Sequence, residues 1–411
     1  MHLPASLRGL PRETFVLAVV AFCVALGFGI VAPAIPLFAL EFGVGPTAAG
    51  AVVSAFAVMR FVSGLGSGRL VDRVGERAAL VGGIAVVAVS SLLAGLAVTY
   101  PQLLVLRGIG GVGSAVFTIA STSLLLRVAA AAQRGRTQSV YRAGFLVGGI
   151  VGPALGGAVL GVSLRAPFFL YAATLVLAGL AGALLLPREP APSARQPAAA
   201  GVGEDDADPV QPQVAAEPER TTLRQALASP AYRAALAGNF AVGFSVLGVR
   251  STVVPLLVVQ GLDLAPSWTG AAFLVSAVVQ TVLLLPAGQA VDTLGRRLTL
   301  VAGGLITGAS LAGLALATGP LSLLAGMAVF GAGASLLGVA PAAVVGDVVQ
   351  GRGGTAVAVW QMSSDLGSIV GPLAAGLLIE RASFTVALVA SALVVTAAGL
   401  LGLMVPRAPR S

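Results

Sequence analysis

The sequence predicts an all-α integral membrane protein with twelve transmembrane helices, and three observations lead there. Apolar residues make up 57% of the 411 residues. Charged residues make up only 10%, against roughly 25% in an average soluble domain. The composition therefore excludes a soluble enzyme and a disordered chain. The third observation is that the apolar residues form long runs, each of the roughly 20 residues that a membrane helix requires.

Twelve such runs follow one another along the chain, and we number them spans 1 to 12. They cover about residues 14–37, 47–68, 78–98, 102–125, 138–160, 166–186, 232–258, 267–289, 298–318, 321–345, 355–378 and 383–405. Span 1 follows Arg8 and Arg12, as the apolar part of a signal peptide would. It is too long for that role and eleven more spans follow, so we interpret it as a retained helix.

The distribution of arginine predicts the orientation in the membrane. The chain has no lysine, so all 24 basic residues are arginine. If both termini are cytoplasmic, 18 of them fall on cytoplasmic segments, only Arg165 and Arg381 fall outside, and four lie within spans. Because cytoplasmic loops carry the excess of positive charge, we expect this orientation in a multi-pass protein of the inner (plasma) membrane. Arginine occurs along the whole chain rather than in one basic patch, which argues against a nucleic-acid partner.

One long segment does not resemble a membrane span. Residues 187–231 are rich in proline, alanine and acidic residues, and such a composition cannot bury a core. We expect a flexible cytoplasmic linker there. It would separate an N-terminal six-helix bundle, residues 1–186, from a C-terminal six-helix bundle, residues 232–411.

Several kinds of chemistry are excluded by the residues that the sequence lacks. Cys23 is the only cysteine, and His2 in the N-terminal tail is the only histidine. Such a chain cannot build a cysteine–histidine metal centre or a histidine-based triad. It also has no phosphate-binding loop of the Gly-x4-Gly-Lys-Ser/Thr type, which excludes a primary pump. We therefore expect no metal, no cofactor and no enzyme activity.

The two halves contain matching segments. Residues 68–77, after span 2, recur as residues 288–297 after span 8, at an offset of 220. In span 5, the Gly-x3-Gly-Pro motif of residues 148–153 recurs as residues 367–372 of span 11, at an offset of 219. Paired six-helix repeats are typical of transporters, whose substrate site lies between the repeats near the middle of the membrane.

These segments resemble motifs of the major facilitator superfamily, and the resemblance covers essentially the whole chain. The two loop segments look like the superfamily's signature between spans 2 and 3, Gly-x3-Asp-x2-Gly-x-Arg/Lys, and its second-half copy. The matching residues are Gly68, Asp72, Arg73, Gly75 and Arg77 in the first copy, and Gly288, Asp292, Gly295, Arg296 and Arg297 in the second. The resemblance implies the major facilitator fold, with two pseudo-symmetric six-helix bundles.

Two further motifs point to a group within this superfamily. The pattern Gly148, Gly152, Pro153, Gly156 and Gly157 in span 5 looks like the signature of twelve-span drug/proton antiporters. Span 4 contains Arg107-x2-Gly110-Gly111-x-Gly113, which is similar to the family's arginine motif but has Gly110 where that motif usually has glutamine. The resemblance implies export, and the substitution removes a polar partner of the arginine.

The resemblance also implies roles for the loop and span 5 motifs. The loop motif with Asp72 would join the two halves on the cytoplasmic side and favour the outward-facing state. The simpler interpretation is a turn with a cluster of positive charge. In span 5, Gly144, Gly148, Gly152 and Gly156 recur at every fourth residue and form a bare stripe for close helix contact. The stripe serves either helix packing alone, or a hinge or seal against proton leak as well.

Charges inside the spans carry most of the functional information, because each costs about 2.5–3.5 kcal/mol at mid-membrane. They are Arg60, Arg107, Arg142, Arg250 and Asp365, and spans 3, 6, 9 and 12 have none. The repeat-related residues are uncharged: Gln280 for Arg60, Met327 for Arg107, Ile30 for Arg250 and Leu146 for Asp365. Because one half of the molecule lacks each charge, the fold does not need it. A functional role is therefore favoured over a purely structural one for these residues.

Asp365 is the candidate proton carrier. It lies about ten residues into span 11, roughly 15 Å deep, and is the only acid near the membrane centre. Burial and a nearby arginine act on a carboxyl in opposite directions, and the balance sets where it exchanges a proton. The alternative is a static salt bridge. Arg107 is the candidate partner by its family role, and Arg250 is a further coupling candidate.

Two other observations bear on this assignment. Many drug antiporters of the family have an acid in span 1, whereas this chain has none there before Glu41 at the outer end. Arg60 and Arg142 are expected nearer the cytoplasmic side, where gating is as plausible as coupling.

The substrate cavity candidates form a lipophilic, weakly polar set, and they are Phe28, Phe56, Asn239, Phe244, Gln280, Trp360 and Gln361.

Together these features predict a monomeric secondary transporter that exports a small lipophilic molecule by alternating access. The exchange would be for protons, with the proton gradient as the energy source and the lipid bilayer as surroundings. Two alternatives within the superfamily stay open: an exporter of one metabolite, and an importer or uniporter of a nutrient. A polytopic membrane enzyme or receptor is a remote alternative.

Overall fold

The computed structural model describes residues 10–128, 133–187, 221–349 and 354–406, and their regular structure is helical. Eleven helical stretches are long and apolar enough to cross a membrane, and a bent pair of helices supplies a twelfth. Helices suit this setting because they satisfy every backbone polar group internally, where lipid offers no partner. The predicted all-helical architecture is confirmed within the described residues, with eleven candidate spans, or twelve if the bent pair is counted as one span.

The helix bounds agree with the predicted runs to within six residues. The first six spans are Arg12–Val31 with Ala34–Leu40, Pro46–Val74, Glu76–Gly95, Tyr100–Val128, Arg134–Leu160 and Ala166–Leu185. Spans 7 and 8 are Pro230–Gly261 and Ser267–Val282 with Leu284–Thr293. The last four are Arg296–Leu314, Pro320–Val348, Gly354–Arg381 and Phe384–Leu400, the last continued by one 3₁₀ turn, Leu401–Met404.

Spans 7 and 8 are irregular. In span 7, π-helical stretches at Gly243–Val249 and Leu257–Gly261 flank the α-helix Arg250–Leu256. Span 8 bends by 43° between Ser267–Val282 and Leu284–Thr293. Short π-helical stretches are frequent at functional sites. The first of these two, Gly243–Val249, ends immediately before a charged residue, Arg250.

The predicted linker is shorter at its C-terminal end than expected. Residues 188–220, most of the predicted range, lie outside the described residues. Within the rest, Leu223–Ala228 forms a short helix and span 7 already begins at Pro230. The short helix starts there because Thr222 and Gln225 form a reciprocal capping box, which satisfies backbone donors at its first turn.

The buried apolar side chains form two clusters. One draws on residues 16–186, and the other on residues 226–405 together with Ala32 and Leu37 of span 1. Spans 3, 6, 9 and 12 make their substantial contacts within their own half. The halves meet mainly where span 2 packs on span 11 and span 5 packs on span 8, so charges on these four spans lie next to the interface.

The contacts between the halves lie at one end of the bundle, which we call the far end. There Ser54 Oγ donates to Ile369 O at 2.7 Å, and Thr47 N donates to Glu380 Oε2 at 3.1 Å. The opposite end, which we call the motif end, carries the turns after spans 2 and 8. At that end the second part of span 8, Leu284–Thr293, packs substantially only on its own half. The molecule is therefore closed at the far end and open at the motif end.

Candidate functional site

The two loop motifs form the same turn at the motif end. Gly75 has φ 84° and ψ 152°, and Gly295 has φ 87° and ψ 154°. Both values of φ lie in the region that favours glycine, which explains the residue type in each copy. Beside Gly68 and Gly288, by contrast, an added Cβ would meet nothing within 4 Å. Close helix approach at those two glycines is thus not used in this open state.

The charges of the two loop motifs have different surroundings. In the first copy, Arg77 donates to the carbonyl of Ala183 in span 6. Asp72 and Arg73 are exposed, and Asp72 has no hydrogen bond or ion pair within the described residues. In the second copy, Arg296 Nε lies 2.9 Å from Asp347 Oδ2 of span 10.

The remaining acid and arginine of the second copy complete the comparison. Arg296 Nη1 also lies 3.9 Å from Asp292 Oδ1, and Arg297 is half-buried. Both acids that contact Arg296 belong to the second half. Both copies are thus tied to their own halves through an arginine, and the acids of both copies, Asp72 and Asp292, are exposed. The predicted pairing of the halves through Asp72 stays a prediction.

The glycine stripe of span 5 packs directly on the backbone of span 1. An added Cβ on Gly148 would lie 2.8 Å from Leu26 N, and one on Gly156 would lie 2.7 Å from Ile30 O. Gly144 and Gly152 meet the same helix. In span 11, Gly367 and Gly371 meet the backbone of span 7 in the same way. The stripe therefore packs helices; its use as a hinge or proton seal stays a prediction.

Gly157 serves a different contact from the stripe beside it. An added Cβ on Gly157 would lie 2.8 Å from the Cα of Gly270 and 3.0 Å from Ser267 O, both in span 8. Pro153 O is also close, 2.8 Å from where a Cβ on Gly270 would be. Span 5 therefore uses one face within its own half and the neighbouring face to close the far end of the interface.

Arg107 lies deep in the first half. Its side chain is 3% exposed, and its guanidinium carbon is 4.7 Å from the ring centroid of Phe56 in span 2. An added Cβ on Gly110 would lie 2.9 Å from Ser90 Oγ of span 3 and 3.4 Å from Phe56 Cε2. The Phe56 ring therefore lies beside Arg107, and a cation over a ring face is stabilised by about 0.5–2 kcal/mol.

Arg250 has a comparable environment in the second half. Its guanidinium carbon is 5.1 Å from the ring centroid of Phe273 in span 8 and 5.9 Å from that of Phe330 in span 10. Its Nε is buried without a hydrogen-bond partner, as is that of Arg107. Within the described residues, neither arginine has an acidic partner at ion-pair distance.

Asp365 lies at the interface, and the arginine that acts on it is Arg60 rather than Arg107. The carboxyl is half-buried, and the positive charge of Arg60, from span 2 of the other half, acts on it electrostatically. No ion pair within 4 Å joins Asp365 to an arginine of the described chain. Arg60 is half-buried at the centre of Pro46–Val74, whereas Arg142 is exposed. Arg60 is central because span 2 continues six residues beyond its predicted end.

The predicted cavity residues differ in their burial and in their contacts. Phe28 and Gln361 are exposed, whereas Gln280 and Trp360 are half-buried. Asn239 and Phe244 are buried in span 7, and the backbone of Phe244 lies close to Gly367 and Gly371 of span 11. Phe56 covers Arg107. The Nε1 of Trp360 is buried without a partner, although its carbonyl accepts from Asn239 Nδ2 at 2.7 Å.

Tyr171 of span 6 is one residue that the sequence analysis missed. It is 2% exposed, and Arg107 and Arg60 both act on its phenol electrostatically. The interior of span 6 contains no charged residue, so no functional residue was predicted there. A tyrosine in an apolar helix was the available signal, because a buried phenol usually needs a polar neighbour.

Two helical bundles with charged side chains near their interface are typical of secondary transporters. The family comparison agrees with this class. The model of the Major Facilitator Superfamily matches residues 17–279 and 239–411. The chain belongs to the major facilitator superfamily, and its predicted resemblance to that family is confirmed.

Curated relatives include proteins of drug resistance. The chain is 32% identical over 169 residues to "Multidrug resistance protein 1" of Bacillus subtilis (strain 168), covering 41% of this chain and 43% of that protein. It is 27% identical over 175 residues to "Quinolone resistance protein NorA" of Staphylococcus aureus (strain MRSA252), covering 43% and 45%. The matches thus span less than half the length of these relatives.

Solved structures are similar over nearly the whole chain. The peptide transporter POT, in a mutant form, has a TM-score of 0.75 at 14% identity, covering 97% of this chain and 94% of that one. The nucleoside transporter NupG has a TM-score of 0.71 at 13% identity, covering 95% and 98%. At such low identity the likeness shows the fold alone.

Proposed function

We propose that this protein exports a small lipophilic molecule from the cytoplasm in exchange for protons, by alternating access. The observation that carries the proposal is the position of Asp365, a half-buried acid in the middle of span 11. It stands at the interface between the halves, within the field of Arg60 from the other half. Its charge therefore changes the attraction between the halves, so that gaining or losing a proton biases their approach.

Three further observations support export. The relatives named above are resistance proteins. Gly148, Gly152, Pro153 and Gly156 of the span 5 motif pack on span 1. The arginine bias favours a cytoplasmic position for the motif end, which is the open end, so the molecule would receive its substrate from the cytoplasm of a cell bounded by the inner (plasma) membrane. A monomer suffices for this cycle.

The energy of such an exchange is sufficient for efflux. One charge that moves across a membrane potential of 100 mV gains about 2.3 kcal/mol. At about 1.4 kcal/mol per factor of ten, that sustains roughly a 50-fold substrate gradient. No cofactor is needed, because the proton gradient supplies the energy.

The test is dye extrusion from an efflux-deficient bacterial host. We would compare the wild type with Asp365→Asn, each with and without a protonophore, using anionic, neutral and cationic dyes. Asp263→Asn is the matched control, because Asp263 is exposed in the turn between spans 7 and 8 at φ 51°. Asparagine tolerates that conformation.

The outcomes separate the parts of the proposal. We expect extrusion that the protonophore abolishes, that Asp365→Asn reduces at least tenfold, and that Asp263→Asn leaves unchanged. Full extrusion by Asp365→Asn would exclude Asp365 as the proton carrier but would still support export. If well-expressed protein extrudes none of the dyes, the broad exporter is wrong and a transporter of one metabolite or nutrient replaces it.

A further inference from the structure

The charges inside the membrane do not balance. The interiors of the spans hold four arginines and one acid, Asp365. Arg60 is the arginine whose charge acts on Asp365. No acid inside the spans is therefore left to balance the charges of the other arginines. An unpaired cation at this depth is costly, and contact with an aromatic ring offsets only part of the cost. The excess positive charge points to an anion that enters the site.

Arg250 is the cation best placed to receive such an anion. Its Nε is sealed from solvent, whereas its two Nη atoms, which also lack a partner within the described residues, keep accessible surface. The side chain as a whole is half-buried, while that of Arg107 is 3% exposed. Arg250 therefore offers the forked end of its guanidinium, which matches a carboxylate or another oxyanion in geometry.

The surroundings of Arg250 suit an anion with an aromatic or lipophilic body. Phe273 and Phe330 supply two aromatic walls within 6 Å of the guanidinium carbon. Gln280 lies seven residues after Phe273, on the same face of span 8 and nearer the motif end. A polar side chain thus stands on the approach from the open end, and aromatic rings stand beside the charge.

The fold itself does not require this arginine. Its equivalent in the first half is Ile30, which is 2% exposed in the apolar core. The helix is also irregular at this point, since the π-helical stretch Gly243–Val249 ends immediately before Arg250. An arginine that replaces an apolar core residue, at the end of a π stretch and without an acidic partner, has the features of a ligand site.

We propose that Arg250 binds the negatively charged group of the transported molecule, which is therefore a lipophilic organic anion, such as an aromatic carboxylate. This proposal rests on the proposed transport function and names its substrate class. An inside-negative membrane potential drives such an anion outward, in the direction of export. The absence of an acid from the membrane interior of span 1 fits the same substrate, because an acid there would repel it.

The test measures binding of two matched aromatic probes to the full-length protein in detergent by titration calorimetry. The anion is 2-naphthoate, and the cation is 2-(aminomethyl)naphthalene. We expect 2-naphthoate to bind the wild type at least tenfold more tightly than the cation. Arg250→Gln should weaken 2-naphthoate binding at least tenfold, because a hydrogen-bonded charge pair is lost. Arg250→Lys keeps the charge and should lose less.

Arg165→Gln is the matched control. The guanidinium carbon of Arg165 is 5.1 Å from the ring centroid of Phe38, the same distance as between Arg250 and Phe273. Arg165 lies at the start of span 6, outside the interior of the bundle. The control therefore removes an equivalent cation–ring contact and should leave 2-naphthoate binding unchanged.

Two results would overturn the anion site. One is equal or tighter binding of the cation, and the other is unchanged 2-naphthoate binding in Arg250→Gln. Absence of binding by either probe would also count against it. The dye experiment reports independently on export: extrusion without anion binding leaves the exporter and removes the anion site, and anion binding without extrusion does the reverse.

Discussion

The two ends of the interface between the halves are built differently. At the far end, glycines bring backbones together, as at Gly157 and Gly270, and a serine hydroxyl donates across the interface to Ile369 O. At the motif end, the acid of the first loop motif, Asp72, is exposed. Packing therefore closes one end in the state described, while the carboxylate of Asp72 is available to act in a state that closes the other end. Such a division suits a molecule with two alternative packings.

The largest expected effect comes from filling the glycine contact at the far end. Gly270→Val would place a Cβ onto the backbone of Gly157, since the space between spans 5 and 8 holds no side chain there. Close-packed interfaces do not absorb added volume without a shift. We expect transport to fall more than tenfold and the motif-open state to be depleted, measured as dye extrusion and by distances between spin labels.

The control for this prediction lies in span 5. Gly149→Val introduces the same side chain at a position where an added Cβ meets nothing within 4 Å, so transport should stay near the wild-type rate. Equal loss in both variants would mean that the helices merely tolerate valine poorly. Full activity of Gly270→Val would show that the far-end contact does not close the interface.

The fold was predictable because its signals lie along the chain. Lengths of apolar runs predict the spans, and the required φ of Gly75 and Gly295 explains why the loop motif keeps glycine at that point of both copies. The spacing of the span 5 glycines also predicts correctly that they share one face and pack closely. In each case a local rule acts within one helix or one turn.

The site was less predictable because it depends on how separate helices meet. The family resemblance favours Arg107 as the partner of Asp365, yet Arg107 packs on Phe56 in its own half, and the charge that acts on the acid is that of Arg60. Helical periodicity predicts which residues of one span share a face. It does not predict which residue of the other half lies opposite that face at the interface. For the same reason the sequence does not show that Asn239 Nδ2 of span 7 donates to Trp360 O of span 11.

A smaller effect is expected from the hydrogen bond at the far end. Ser54→Ala removes the bond from Ser54 Oγ to Ile369 O, worth about 1 kcal/mol, and should reduce the ratio of motif-open to motif-closed molecules roughly fivefold. Spin labels at Leu70 and Gln289, exposed near the motif end on opposite halves, would report the ratio by double electron–electron resonance in a Cys23→Ser background.

A serine within one helix provides the control for Ser54. Ser67 Oγ donates to Ser63 O at 2.7 Å, the same type of bond at the same length, but inside span 2. Ser67→Ala should leave the distance distribution unchanged. If both serine variants shift it alike, the cross-half bond has no special part in holding the far end closed.

The smallest expected effect has the opposite sign and concerns the motif end. Asp72 is exposed and unpartnered among the described residues, so Asp72→Asn costs this state nothing. It would weaken only a state in which the motif end closes and the acid meets a helix end or an arginine, by about 0.3–1 kcal/mol. The ratio of motif-open to motif-closed molecules should therefore rise about two- to fivefold with the same labels, while Asp263→Asn has no effect. Because the two sites are at opposite ends and share no partner, Ser54→Ala and Asp72→Asn should add, and the double variant should return toward the wild-type distribution. A fall in the motif-open population in Asp72→Asn would contradict the assignment of this acid to the closed motif end.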